Sequence, residues 1–335
     1  MSPRLRRFAA AVAVASGSLW IATSCGGGGQ QIPRGSELRW NDAEPAWSPD
    51  GRSIAFVRGR RQFALHVLDV QTGVVRRLTP SVQKAWDSDP AWSRDSRSIA
   101  FIRNATSRDA DFDELYRIDV DGTHLTRLTR NKKPDRFPAW LPNGSHIAFW
   151  RYPHVRVIDS NGTTERALTL RYGTWSPDGS RLADASASGG LAVVSFPDEH
   201  RRQIVTGSVR QEIAWSPDGS RLAFSRWNPR PGLYVVNFDG TGLRFLTRGG
   251  SDYEVEENPV WSPDGKLIAF VRANSSLSSG RAQSGVHGLY VIRPDGSGLR
   301  RLPVPIRGGA LSYAWAPDGQ QLVLGGNQVD EARVF

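Results

Sequence analysis

The sequence predicts an all-β fold, a seven-bladed β-propeller of four-stranded antiparallel blades, with six blades as the alternative. Three observations carry this. A phrase close to Ala-Trp-Ser-Pro-Asp-Gly returns around Trp47, Trp92, Trp140, Trp175, Trp215, Trp261 and Trp315, at spacings of 45, 48, 35, 40, 46 and 54 residues. A repeat of about 45 residues marks a propeller or a repeat array. Within each repeat, short apolar runs alternate with tight-turn signals, and after residue 30 a 3.6-residue period is almost absent, so little helix is expected.

The repeat around Trp215 shows the unit. Ile213-Ala214-Trp215 is one strand, and Leu222-Ala223-Phe224-Ser225 is the next. Ser-Pro-Asp-Gly joins them: Pro presets the first turn dihedral, Asp bonds its own backbone, and Gly accepts a positive φ. Leu233-Tyr234-Val235-Val236 is a third strand, Asp239-Gly240-Thr241-Gly242 a second turn, and Leu243-Arg244-Phe245-Leu246-Thr247 a fourth strand. Four antiparallel strands per period make one blade. Each repeat Trp buries roughly 150–250 Å², so the seven are expected to pack between blades rather than to carry ligand.

Taken in order, residues 1–24 read as a signal peptide: Arg4, Arg6 and Arg7 form a basic start, followed by an apolar stretch of small residues. Residues 25–34 read as a lipidated Cys25 and a flexible tether. Ala22-Thr23-Ser24-Cys25 is close to a lipobox, Cys25 is the one cysteine of the chain, and Gly26 to Gly29 follow it. An ordinary cleaved signal is the alternative. Residues 35–335 then form one repeat domain. Third strands run through Leu65-His66-Val67, Leu115-Tyr116-Arg117, Val155-Arg156-Val157, Leu191-Ala192-Val193 and Leu289-Tyr290-Val291. The last repeat is short, ending with Ala332-Arg333-Val334-Phe335 as its third strand. A fourth strand from 35–40 is expected to close the ring by pairing into that blade and removing both open edges.

The net charge of +10 falls to +7 when the three early arginines leave with the signal. Much of it sits on fourth strands (Arg76, Arg77, Arg127, Arg166, Arg244, Arg300), the outermost of each blade. A belt of this kind discourages edge-to-edge pairing, and it is not the one-sided, aromatic-interleaved patch of a nucleic-acid binder. The expectation is a monomer with no nucleic-acid partner.

Strand parity puts the short turns on one face and the variable loops (104–114, 226–232 and 274–288) on the other, where binding is expected. Segments entering the first strands are acidic: Asp42, Glu44, Asp87, Asp89, Asp135, Glu212, Glu254, Glu256 and Glu257, with Asn258. Asp42, Glu44, Asp87, Asp89, Asp135, Glu212, Glu256 and Asn258 are the candidate ligand-binding residues, a ring at the mouth of the central channel. Such a ring would concentrate a basic peptide or hold Ca²⁺, or be a solvated rim. There is no Gly-x-Ser-x-Gly elbow, no His-Glu-x-x-His and no paired cysteine, so no catalytic residue is assigned. The reading is a non-enzymatic scaffold; the alternative is a propeller lyase or hydrolase acting on carbohydrate or peptide from the channel.

The repeat Ala-Trp-Ser-Pro-Asp-Gly-x-x-[Ile/Leu]-Ala-Phe, followed by Leu-Tyr-Val-x-x-x-Asp-Gly-x-x-Leu-x-x-Leu-Thr, resembles the WD-like propeller repeats of the TolB family over residues 35–335. The resemblance implies a propeller of a bacterial envelope that binds a protein or peptide partner; joined to the signal and lipobox reading of residues 1–25, the expectation is an exported, membrane-anchored lipoprotein on the periplasmic or extracellular side. TolB has an α/β domain ahead of a six-bladed propeller, whereas seven motif copies stand here, so TolB's own partners are not implied. Similar repeats form the non-catalytic propeller of prolyl-oligopeptidase-like enzymes. Two copies are degenerate: Arg94-Asp95-Ser96 lacks the glycine, and Leu141-Pro142-Asn143 replaces Ser-Pro-Asp.

Overall fold

Hairpins close to Trp-Ser-Pro-Asp-Gly join the first two strands of the blades of the computed structural model, which describes residues 18–23, 42–59, 63–80, 85–105, 113–168, 173–185, 190–196, 198–227, 230–247, 254–274, 286–304 and 311–326. In the turn at Ser216, the Ser216 hydroxyl donates to Asp218 at 2.5 Å, and Asp218 accepts the Ser220 amide at 3.1 Å. The Arg221 amide donates back to the Ser216 hydroxyl at 2.9 Å. The same wiring recurs at Ser48, Ser93, Ser176 and Ser262. The serine hydroxyls hold Asp178 and Asp218 down at about 2.

Among the described residues every regular element is a strand, and six four-stranded antiparallel blades form. Their inner strands are Asp42–Trp47, Ala85–Trp92, Asp135–Trp140, Thr174–Trp175, Val209–Trp215 and Glu254–Trp261. Second strands are Ser53–Arg58, Ser98–Ala105, His146–Arg151, Arg181–Asp184, Arg221–Arg226 and Ile268–Asn274. Third and fourth strands follow outward in chain order.

Six complete blades, the expected alternative, thus replace the seven four-stranded blades of the main expectation. The seventh Trp copy lies in a three-stranded sheet: Leu311–Trp315, then Gln321–Gly326, then Ser18–Thr23. Residues 35–40 and 332–335, expected to supply the closing strands, lie outside the described residues. The segment that covers Gln321–Gly326 is instead Ser18–Thr23, paired antiparallel from Ser18 opposite Gly326 to Thr23 opposite Gln321. The sequence reading places these residues in a signal segment outside the fold. The physical reason for the difference is that a short apolar run such as Leu-Trp-Ile-Ala has no periodicity that separates a signal core from a strand, and an open strand edge attracts such a run.

The core is a series of apolar seams between neighbouring sheets, not one central cluster. Blades one and two meet through Val57, Leu65, Trp92 and Phe101, and blades four and five through Leu191, Val205, Trp215 and Phe224. Blade six meets the three-stranded sheet through Val271, Leu289, Trp315 and Leu322. That sheet meets blade one through Val323, Ile54, Phe56 and Leu68. Phe56, Phe101, Phe149, Phe224 and Phe270, at one position of strand two in five blades, are fully buried. In blade four that position is Asp184, which is buried and paired with Arg201 of the fourth strand.

Each Trp spans a seam. Trp92 Nε1 donates to Ala46 O at 2.9 Å, Trp140 to Ala91 O at 3.1 Å, Trp215 to Thr174 O at 2.9 Å, Trp261 to Ala214 O at 3.1 Å and Trp315 to Val260 O at 3.2 Å. The acceptor is in each case the carbonyl just before the Trp of the preceding blade. Trp47 Nε1, at the seam with the three-stranded sheet, is buried with no partner.

Truncation of Trp92 tests this. Trp92→Ala is expected to lower stability by about 3–5 kcal/mol, and Trp92→Phe, which keeps most of the ring but loses the N–H, by about 1–2 kcal/mol. Urea unfolding monitored by circular dichroism reads both.

Candidate functional site

Four of the inner strands carry the same sequence quirk: a residue followed by Pro, two positions before the small residue–Trp pair is complete. They read Glu44-Pro45-Ala46-Trp47, Asp89-Pro90-Ala91-Trp92, Phe137-Pro138-Ala139-Trp140 and Asn258-Pro259-Val260-Trp261. Pro cannot donate to the sheet ladder, and it constrains the residue before it. The strand responds with a register shift against strand two at this point in each of the four blades. Glu44, Asp89, Phe137 and Asn258 all sit in the left-handed region, with φ of 52, 52, 53 and 52°. Glu212, followed by Ile213, does not. A left-handed conformation costs a residue with a side chain on the order of 1–3 kcal/mol, and such outliers gather where function needs them.

The bulges are wired blade to blade. The Asp89 amide donates to Glu44 Oε2 at 2.6 Å, and the Phe137 amide donates to Asp89 Oδ2 at 3.5 Å. Glu44 is 6% exposed, and its second oxygen, Oε1, is buried with no hydrogen-bond partner. Burial first, and then the charge of Asp89, push the Glu44 carboxyl up to about 8. Burial also raises Asp89, against the pull of the Phe137 amide and the Arg136 guanidinium. Arg136 in turn is paired with Asp113.

A second polar patch lies on the inner strands of blades five and six. Arg210 reaches Glu212 at 3.4 Å and is hydrogen-bonded to Glu257, with its guanidinium 4.5 Å from the Trp227 ring. Burial raises Glu257, with Arg210 opposing and Glu212 assisting. The Tyr313 hydroxyl donates to Asn258 O and is itself shifted well upward by burial and by Glu257.

The expected ring of free carboxylates is therefore corrected in part. Asp87, Asp135 and Glu256 do not line an open mouth. Asp87 is 2% exposed and takes a two-pronged bond from Arg103 at 2.6 and 2.9 Å. Asp135 takes the same from Arg151 at 2.6 and 2.9 Å, and Glu256 pairs with Arg272 at 3.2 Å. Threonines ending the previous blade complete the latch: Thr79 donates to Asp87 at 2.5 Å and Thr129 to Asp135 at 2.6 Å. A buried carboxylate needs such partners, and the Arg that supplies them always lies sixteen positions later, on strand two. Asp42 opposes Arg58 in the strand register in the same way. Sequence reasoning saw the acids and missed this spacing. It also missed the X-Pro signal that sets Glu44, Asp89 and Asn258 apart.

The structure thus brings Glu44 together with Asp89, and Glu212 together with Glu257. Among the described residues no group of three or more His, Cys, Asp or Glu side chains is placed to hold a metal ion. Cys25 and most of the variable loops lie outside the described residues.

Residues 30–172 match the TolB β-propeller domain. Over that stretch the chain is similar to the TolB β-propeller domain. The structure of a putative TolB from Agrobacterium tumefaciens superposes with a TM-score of 0.51 at 17% identity, covering 92% of this chain and 97% of that one. A puromycin-hydrolyzing peptidase from Mycobacterium tuberculosis gives a TM-score of 0.60 at 17% identity, over 85% of this chain and 48% of the peptidase. At such identities the likeness is one of fold. An uncharacterized protein of Agrobacterium fabrum, Atu1656, is 26% identical over 187 residues, half of this chain, and the match spans 60% of that relative's length.

Two measurements check the electrostatics of this site. Glu44 folded binds its proton up to about pH 8, whereas unfolded it releases it near 4.5. The folded state therefore holds more protons between these values, and stability from this group falls as pH rises. Glu44→Gln is expected to raise Tm more at pH 8 than at pH 5, flattening the Tm–pH profile. Asp87→Asn, which strands Arg103, is expected to cost about 3–5 kcal/mol at pH 7, read by urea unfolding.

Proposed function

We propose that this TolB-like propeller is a non-enzymatic scaffold of the bacterial cell envelope that captures a basic segment of a protein partner at Glu44 and Asp89. The observation that carries the reading is Glu44 Oε1: a buried carboxyl oxygen with no partner, on a strained bulge, beside a second carboxyl. A Lys or Arg side chain supplies the missing donor and the missing charge together. Its arrival displaces the Glu44 proton, because an adjacent cation favours the ionised acid. The neighbouring Asp89 then shares the same cation, and the Asp89 and Phe137 amides keep both carboxylates aimed.

The envelope setting rests on the basic–apolar start of the chain and on the lipobox-like approach to Cys25. In this reading a lipid on Cys25 anchors the propeller and the polyglycine run gives it reach. Cleavage before Cys25 would remove Ser18–Thr23, and Gln321–Gly326 would then require another strand along its outer edge. Mass spectrometry of the protein from membranes decides this: a diacylated N-terminal Cys25, lost in Cys25→Ser, is expected, and a retained residue 18–23 segment refutes the anchor.

The binding test uses a labelled hexa-arginine peptide and fluorescence anisotropy. Affinity is expected to rise between pH 6 and 9, following release of the Glu44 proton, and to fall roughly tenfold or more in Glu44→Gln. Affinity that is flat with pH and equal in Glu44→Gln refutes the site.

A second reading rests on the same pair. A carboxyl protonated near neutral pH beside another carboxyl is an arrangement used for general acid and base work. It requires turnover of a peptide or polysaccharide that is lost in both Glu44→Gln and Asp89→Asn.

A further inference from the structure

The opposite face of the disc carries the Ser-Pro-Asp-Gly turns, and there the blades interlock by a simple contact. The Pro of one turn rests over the Gly of the next. A Cβ added at Gly219 would lie 3.8 Å from Pro177, one at Gly265 3.8 Å from Pro217, one at Gly319 3.7 Å from Pro263 and one at Gly51 3.7 Å from Pro317. At Gly179 the approach is closer still, 2.4 Å from Pro142. The collar is interrupted between blades two and three. A Cβ at Gly144 would meet nothing within 4 Å. The reason is in the sequence: the residue that should rest there is Arg94, in the place of Pro.

The gap is a cleft of about 560 Å³. Its lining includes Arg94, Arg117, Ser98, Trp140, Asn143 and Ser145. Arg117 is fixed: it bonds Ser98 Oγ and Asp119, and its guanidinium lies 6.0 Å from the Trp140 ring. Arg94 is exposed, and its contact is a single long bond, Nη1 to Pro142 O at 3.3 Å. Asp95, the acid of the same turn, is occupied by the Ser93 hydroxyl and the Arg97 amide at 2.6 and 3.1 Å. The cleft therefore presents a guanidinium held by a neutral carbonyl, with a second guanidinium behind it that is paired with Asp119, and hydroxyl and amide groups on its walls. That chemistry favours a carboxylate, which Arg binds in a two-pronged fashion and more strongly than it binds a carbonyl. The cleft is open, mixes polar and apolar surface, and lies among regular turns, which suits an extended peptide more than an enclosed small molecule.

We propose that the cleft between the blade-two and blade-three turns is a docking site for an acidic peptide segment, with Arg94 releasing Pro142 to pair with an Asp or Glu carboxylate. The site lies on the face opposite Glu44 and Asp89 and does not rest on the role given to them.

The repeat itself supplies the closing variant. Arg94→Pro restores the turn used by the other blades, lays a ring over Gly144 and removes the guanidinium from the cleft. It is expected to fold with an unchanged or higher Tm. Arg94→Gln keeps the cleft and removes the charge. A labelled, N-acetylated hexa-aspartate peptide is titrated into the full-length protein at 150 mM salt and followed by anisotropy. Wild type and Arg300→Gln, an outer-strand charge control, are expected to bind equally. Arg94→Pro and Arg94→Gln are each expected to lose roughly tenfold or more. Glu44→Gln is expected to bind like wild type, which separates this site from the basic-segment site. An absence of binding by wild type, or equal losses in Arg300→Gln and Arg94→Gln, overturns the proposal, the latter by showing general attraction to a basic protein.

Discussion

The indole wedged at each blade junction is the contact on which the rest of the structure depends. Each blade alone is a small four-stranded sheet with two apolar faces and cannot bury either of them. The Trp at the end of the inner strand fills the space between neighbours, and Trp92, Trp140, Trp215, Trp261 and Trp315 also fix their separation with one directional bond, from Nε1 to the carbonyl preceding the previous Trp, whereas Trp47 is held by packing without one. Dispersion and burial supply the attraction, roughly in proportion to area, and the N–H sets the angle. Once that angle repeats, the sheets must circle an axis, and the three-stranded sheet between blade six and blade one follows from the same geometry.

Around this frame two kinds of buried charge do different work. The Asp87–Arg103, Asp135–Arg151 and Glu256–Arg272 pairs are satisfied latches: acid, guanidinium and, in the first two, a threonine from the preceding blade close a hydrogen-bond set inside the wall. The Glu44–Asp89 pair is the reverse. It is buried, short of donors and held on left-handed backbone. The latches leave no charge of the pair unanswered, although burial still raises the Asp135 carboxyl, whereas the Glu44–Asp89 arrangement leaves an oxygen unmatched on strained backbone, a cost that is tolerated where a ligand relieves it.

Repetition also gives departures their meaning. Five turn contacts use Pro on Gly, and the one place where Arg94 stands for Pro is the place where a cleft opens. Asp184 stands for the strand-two Phe and answers with an ion pair to Arg201. In each case the surrounding copies state what the backbone allows, so the odd copy can be read as a change of contact rather than of fold.

The sequence by itself determined the blade, its four strands, its turns and the Trp seams, because all of these are local or recur at a fixed period. It also placed the acidic residues in the segments leading into the inner strands. Only the tertiary structure decided which of those acids are neutralised, since the answer lies in an Arg on the next strand and a Thr on the preceding blade. It decided too that six blades are complete and that Ser18–Thr23 covers the last strand, because a short apolar run does not state whether it will pair, insert in a membrane or be removed. Pairing between segments some 300 residues apart depends on where the ring closes, and the ring exists only once all the blades have packed.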